Sequence, residues 1–458
     1  MRIQRLILEQ VGCFDHLEIP FREGRDPTKA DIHLIVGANG TGKSTILMAM
    51  AQHFSRLPTG LEKRLLSSRS YSRIQLDNGS AAGVSFRHSD GQVLPPGTNS
   101  LTALMNPVDR TATLAFFENK EGTGPPYLVR NYRRLANEFQ PYAAQYQDVR
   151  FSFMAVAYGG RRSVEGLSVD GIVEQKGAPL LDACVIPRPR QQNQAEPLLQ
   201  WIANTKAKAA FAMQRADDHR YRRYSDAIGR IEEIISRITG RRFRFLLSDD
   251  PINVSAEIDG AEVPIDVLPN GLISLVSWIG DLLMRLDRVP WIDDRPILER
   301  DIILFLDEIE IHLHPAWQRQ ILPAVQDLFP NAQVFVSTHS PFIIASADDA
   351  WLYPLYLDDG GRGHLGKVLP SMVGNSYATV LRDVLGIEAE FAPQVDERLG
   401  EFYRLRNRVL GGESAALTEL KAKGEELGRL GDEVLAIVRP EIRQVERQLT
   451  RVAESRSE

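Results

Sequence analysis

Two cysteines in 458 residues, Cys13 and Cys184, are too few for a disulfide framework, and no paired-cysteine spacing supports a zinc ribbon. No apolar run approaches the about 20 residues of a membrane-spanning helix, and residues 1–8 lack the basic-then-apolar layout of a signal peptide. A cytoplasmic protein without membrane contact is therefore expected. The net charge of −6 gives no global case for nucleic-acid binding, so any such binding has to come from a local patch. Neither a repeat of fixed period nor a long heptad array is present. What remains is an ordinary globular composition, 43% hydrophobic and 25% charged, in a chain long enough for two or three domains.

Within that chain, Gly37-Ala38-Asn39-Gly40-Thr41-Gly42-Lys43-Ser44 follows an apolar run, residues 32–36, that reads as a buried strand; a helix is expected from Ser44 onward. The bland reading is a glycine-rich turn before an ordinary helix. In the strand–loop–helix context the glycines instead let the backbone curl, so that successive N–H groups converge on the phosphates of a nucleotide. Lys43 then reaches the β and γ oxygens, and the Ser44 hydroxyl ligates Mg²⁺.

A second stretch, residues 301–310 (DIILFLDEIE), reads as a strand buried on both faces that ends at Asp307 and Glu308. Ligands of open α/β sheets bind at the carboxyl ends of the strands. Asp307 is then suited to hold Mg²⁺, and Glu308 to accept a proton from the attacking water or to orient it. Residues 333–340 (QVFVSTHS) form a third apolar run, ending at His339. That histidine either contacts the γ-phosphate and positions the water, or is simply a strand-end histidine.

Lys43 and Asp307 lie much further apart than a minimal strand–helix core requires, so an insertion is expected. The candidate is 179–244, helical in pattern over 198–238 and dense in arginine. Arg220, Arg222, Arg223, Arg241 and Arg242, with Tyr221 and Tyr224 interleaved, suit phosphate contacts with base stacking, or contact with a partner protein. Equally, Asp217, Asp218, Asp226, Glu232 and Glu233 balance a solvated helix face. The domain expectation is an N-terminal lobe over 1–165, a helical arm over 166–250, a C-terminal lobe over 251–370 and a helical tail over 371–458. Further strands are expected at 3–8, 16–21, 83–87, 150–158 and 351–357. Turns are expected at Asp90-Gly91 and, within a hairpin over 252–265, at Asp259-Gly260.

In chain order, the loop at 37–44, the turn Leu268-Pro269-Asn270-Gly271-Leu272-Ile273-Ser274, the Asp307-Glu308 strand end and Ser337-Thr338-His339-Ser340-Pro341 resemble the motifs of ABC-type ATPase heads. More narrowly, three stretches resemble stand-alone AAA/ABC-hybrid ATPases related to RecF, SMC heads and the overcoming-lysogenization-defect proteins. These are Cys13-Phe14-Asp15, Ala157-Tyr158-Gly159-Gly160-Arg161-Arg162 and Leu306-Asp307-Glu308-Ile309-Glu310-Ile311-His312-Leu313-His314-Pro315. Most similar are the ATPase subunits of anti-phage systems such as Septu, PARIS and some retrons.

The resemblance implies an α/β fold: an ABC-type P-loop NTPase head with a mixed sheet, an arginine-rich helical insertion and a C-terminal helical segment. It also implies ATP and Mg²⁺ as cofactors, with slow hydrolysis. By position, Gly37 to Thr45 hold the nucleotide, Ser44 and Asp307 the Mg²⁺, Glu308 is the catalytic carboxylate and His339 the switch histidine. The implied assembly is a homodimer or higher homo-oligomer sandwiching ATP between heads. In it Asn270, Gly271 and Ser274 reach in trans to the partner's γ-phosphate, and His312 and His314 lie in a loop facing the partner head.

One departure concerns that turn: Pro269, Asn270 and Gly271 stand where such heads carry a serine and two glycines. Ser274, the Asn270 amide or backbone N–H groups are then the substitutes. No acidic Glu…Asp-x-Asp cluster follows His339, so no nuclease is expected in this chain. The implied role is a nucleotide-switched sensor or scaffold for a separate effector, a nuclease, in anti-phage defence. The alternative is a RecF-like DNA-maintenance ATPase that binds DNA through the arginine segment.

Overall fold

Alternating burial at the start of the chain produces an antiparallel ribbon: β1 (Ile3–Val11) pairs with β2 (Phe14–Pro20), with Leu6, Leu8, Leu17 and Ile19 turned inward. The computed structural model describes residues 2–54, 71–76, 81–85, 88–89, 92–93, 104–105, 112–113, 151–160, 169, 171–173, 183–184, 195–387 and 391–455. The turn expected at Asp90-Gly91, the end of the strand expected at 83–87, and Arg161 with Arg162 lie outside the described residues. Two compact units make up the chain, Met1–Val380 and Leu381–Glu458.

In the first unit the elements that follow are β3 (Asp31–Gly37), α1 (Lys43–Gln52), β4 (Tyr71–Leu76), β5 (Ala81–Ser85) and β6 (Phe153–Tyr158). A helical pair comes next, α2 (Ala195–Gln214) and α3 (Asp218–Thr239), then β7 (Phe243–Asp249), β8 (Ile252–Ile258), β9 (Ala261–Pro264) and α4 (Asn270–Arg288). The unit is completed by β10 (Asp301–Asp307), α5 (Pro315–Leu328), β11 (Ala332–Thr338), β12 (Ala350–Leu357) and β13 (Gly363–Leu365). The ribbon extends to a sheet in the order β2-β1-β4-β5.

The central sheet runs β6-β10-β11-β3-β12-β13, parallel from β6 to β12, with β13 and the short strand Leu369–Pro370 both pairing antiparallel to β12. All residues of β3, β6 and β11 are buried, as strands covered on both faces must be. Register then decides where the strands end. Asp307 sits opposite Ser337, Thr338 opposite Val36 and Leu355 opposite Gly37, so β10, β11, β3 and β12 come to one edge together. The histidine-bearing strand lies between the phosphate-loop strand and the acidic one, a crossover that residue patterns do not reveal.

Helix α4 anchors the far edge of this sheet. Arg285 donates from Nε to Asp281 Oδ2 at 2.6 Å, and the Tyr158 hydroxyl donates to the same oxygen at 2.7 Å. Both members of the ion pair are buried, Arg285 to 5% exposure and Asp281 to 1%.

The helical pattern read over 198–238 is divided between two helices. Asp217 breaks the run and caps α3, accepting from the Arg220 N–H at 3.1 Å, and Gly240 ends α3 in the left-handed region. The hairpin turns as expected at Asp259 and Gly260, both at positive φ (51° and 91°), the backbone that a two-residue primed turn requires. The boundary expected at 250/251 falls between β7 and β8, which pair in one three-stranded antiparallel sheet with β9. In the second unit Phe402, Leu420, Leu427, Val438 and Val445 form a separate helical core.

Removing the Asp281 carboxylate breaks a buried ion pair that the Tyr158 hydroxyl also joins, so Asp281→Ala is expected to cost about 3–5 kcal/mol of stability. Urea unfolding followed by circular dichroism checks this.

Candidate ATP-binding and hydrolysis site

The loop between β3 and α1 is shaped by glycine where nothing else fits. Gly37, Gly40 and Gly42 have φ of 149°, 88° and 92°. A Cβ at Gly37 would lie 2.5 Å from the Leu355 carbonyl oxygen, and one at Gly42 would overlap the Phe14 ring. Cys13 in the turn after β1 and Phe14 at the start of β2 thus back the loop, while Ala38, Asn39 and Gly40 are exposed. Thr41 stitches the curl, its hydroxyl donating to the Ala38 carbonyl at 2.9 Å.

Lys43 is 6% exposed, and its ammonium donates to the Gly37 and Ala38 carbonyls at 2.8 and 2.9 Å. Burial lowers its pKa below the ordinary lysine value, opposed by the negative charges of Glu310, Glu308 and Asp307, in that order. One cation therefore lies in the field of three carboxylates from the other end of the sequence. Ser44 is half-buried and Thr45 buried at the start of α1.

Asp307, the last residue of β10, is 6% exposed and accepts from the Ser337 hydroxyl at 2.5 Å. The same Ser337 oxygen accepts from the Glu308 N–H at 3.0 Å. Glu308 has φ 48°, a conformation that costs a non-glycine residue about 1–3 kcal/mol and persists where its surroundings hold it. Ser337 is one such restraint. Gly160 is another: a Cβ there would lie 2.8 Å from Glu308 Oε2, so the Gly159-Gly160 backbone lies against the Glu308 side chain.

His339 follows β11 and is 49% exposed. Glu310, to which the sequence reading assigned no role, joins it: Oε1 accepts from the His339 backbone N–H at 2.8 Å and lies 3.1 Å from Nδ1. Gln318 on α5 makes a second tie, donating to the Glu310 and Leu313 carbonyls at 3.4 and 2.9 Å and accepting from the Ser340 hydroxyl at 2.6 Å. The one sequence signal for Glu310 was a third acid close behind Asp307-Glu308. Nothing local marked Gln318.

The remaining expectations distribute differently. Asn270 is exposed, but Gly271 is buried, and a Cβ there would lie 2.5 Å from the carbonyl oxygen of His312 in the same chain. Ser274 is 1% exposed, so Asn270 alone of the three offers its side chain to solvent in this conformation. His314 Nδ1 accepts from the Ala316 N–H at 3.2 Å and caps α5, and no group of three or more histidine, cysteine or carboxylate side chains arranged to hold a metal ion occurs among the described residues.

All five singled-out arginines are exposed, yet they do not form one patch. Arg220, Arg222 and Arg223 open α3, whereas Arg241 and Arg242 follow its end, about 33 Å away at helical rise. Arg220 pairs with Asp217 at 3.5 Å and Arg241 with Asp259 at 2.7 Å.

A side chain at position 42 meets both the Phe14 ring and an unfavourable φ. Gly42→Val is therefore expected to weaken binding of a fluorescent ATP analogue by about tenfold or more, with the far-ultraviolet circular dichroism retained.

The chain is similar to known proteins over parts of its length. Residues 189–345 match the family model described as "AAA domain, putative AbiEii toxin, Type IV TA system", and residues 1–81 match a second, described as "AAA domain". The chain is 25% identical over 162 residues to the Septu protein PtuA of Bacillus thuringiensis, covering 34% of this chain and 40% of that protein. It is 35% identical over 88 residues to the "Retron Vc95 probable ATPase" of Vibrio cholerae, covering 19% of this chain and 17% of that one. To the "Retron Ec83 probable ATPase" of Escherichia coli it is 22% identical over 396 residues, 77% of this chain and 71% of that one. Among solved structures, an SMC head bound to the C-winged helix domain of ScpA aligns over 82% of this chain and 100% of its own, at 14% identity and a TM-score of 0.45. With the loop at Gly37 to Ser44 and the acidic end of β10 meeting at one sheet edge, the chain has the layout of a P-loop nucleotide-binding fold and is similar, over less than half the length of the Septu protein, to the Septu and retron ATPases.

Proposed function

We propose that the chain binds ATP with Mg²⁺, hydrolyses it slowly, and uses the cycle as a switch that holds and releases a separate effector, a nuclease, in anti-phage defence. The observation that supports the catalytic part is the strand register that brings the Asp307 strand end and the turn bearing His339 beside the strand that feeds the Lys43 loop. The defence role rests on likeness to the Septu and retron proteins.

In this reading the open backbone of Ala38 to Gly40 and the first N–H groups of α1 bind phosphate oxygens. Lys43 exchanges its two loop carbonyls for β and γ oxygens. The Ser44 hydroxyl and the Asp307 carboxylate are hard oxygen donors of the kind Mg²⁺ takes, and the Ser337 hydrogen bond holds Asp307 in one rotamer. Bound Mg²⁺ supplies charge neutralisation on the phosphate oxygens. Glu308 accepts the proton of the attacking water, and His339 contacts the γ-phosphate region from the end of β11. ADP and inorganic phosphate are the products.

A homodimer, or a higher homo-oligomer, closes the site when the Asn270 turn of one head meets the nucleotide of the other. Binding energy for the γ-phosphate then favours the closed dimer, and hydrolysis removes it. The buried Ser274 and the missing signature serine both fit a slow turnover.

Glu308→Gln is expected to retain ATP and trap a dimer in size-exclusion chromatography with light scattering, while Lys43→Ala loses ATP binding; undiminished turnover in both variants refutes the assignment. Ser337→Ala removes the restraint shared by Asp307 and Glu308. It is expected to raise the Mg²⁺ concentration needed for half-maximal ATPase activity by about 10–100-fold.

A further inference from the structure

Glu310 makes more of an enclosure than a strand-end cap needs. Its side chain is 6% exposed. Oε1 accepts from the His339 N–H and lies 3.1 Å from Nδ1, while Oε2 is buried without a hydrogen-bond partner among the described residues. A buried carboxylate oxygen left unpaired is costly, about 1–3 kcal/mol or more for a charged group, and such exceptions call for a reason. A cap would be served as well by the amide oxygen of glutamine, with no charge to desolvate.

We infer that Glu310 is a positioning residue for the hydrolytic step: Oε1 orients the His339 ring through Nδ1, and Oε2 receives a hydrogen bond from water within the nucleotide-loaded site. With Nδ1 3.1 Å from the carboxylate, Nε2 is the ring nitrogen left to face the nucleotide. Gln318 steadies this arrangement by joining the Glu310 backbone to the Ser340 hydroxyl, so the acidic loop and the histidine turn are tied at two points. The inference rests on the ATPase reading and adds a residue that the phosphate-loop motif does not contain.

The test uses the full chain and compares Glu310→Gln, His339→Ala and the double variant for ATP turnover, ATP-analogue affinity and urea unfolding midpoint. Glu310→Gln keeps the shape but presents an amide, which cannot accept at both oxygens. Expected is a fall in kcat of about 10–100-fold with analogue affinity changed less than about threefold. In the His339→Ala background the same substitution should cost much less, because the two residues act as one unit. Glu310→Asp, which keeps the charge on a shorter arm, should recover part of the lost turnover. Unchanged kcat in Glu310→Gln overturns the inference. So does a loss that is equally large without His339, or a lowered unfolding midpoint accompanied by lost binding, which would make Glu310 a structural residue. A parent protein that binds no ATP overturns the ATPase reading and this inference together, whereas normal parent turnover with an indifferent Glu310→Gln overturns this inference alone.

Discussion

Parallel pairing of β10, β11 and β3 is the constraint on which everything else rests. Each backbone hydrogen bond fixes which residue of one strand lies beside which of the next, and a slip of one residue would turn every side chain to the opposite face. With Asp307 beside Ser337 and Thr338 beside Val36, three strand ends from distant parts of the chain finish within reach of one phosphate loop. Complete burial of β3 and β11 makes that register costly to change, since any shift would expose apolar side chains or unpair buried amides.

The edge so formed is electrostatically unbalanced. Asp307, Glu308 and Glu310 crowd beside a single lysine, and two of the three carboxylates are more than nine-tenths buried. Such crowding is unfavourable for the protein alone and becomes favourable once cationic charge enters. The backbone stores a related tension: Glu308 and His312 both sit at positive φ in the loop after β10, held by Ser337, Gly160 and close packing on Gly271. Groups held ahead of time in this way need little rearrangement when charge develops on the substrate.

Helix α4 shows why a motif and its surroundings are separate questions. The turn that opens it was recognisable from Pro269, Asn270 and Gly271, yet Gly271 is required by the carbonyl of His312 in the same chain, and Ser274 is enclosed. The arginine-rich arm makes the same point. Its helical period was visible, but Asp217 divides it, and the candidate arginines lie at both ends of α3.

Wherever chemistry depends on neighbours in the chain, residue order alone was sufficient: the glycines and lysine of the phosphate loop, the apolar strands ending in Asp307 and His339, and the Asp259-Gly260 turn all follow from local backbone and side-chain preferences. Folding in three dimensions settled the insertion of β11 between β3 and β10, the joining of Glu310 to His339, the bridging of Asp307 and Glu308 by Ser337, and the burial of Ser274. These arise from pairing between segments far apart in sequence, where the energy depends on which surfaces meet, and no local pattern records that choice.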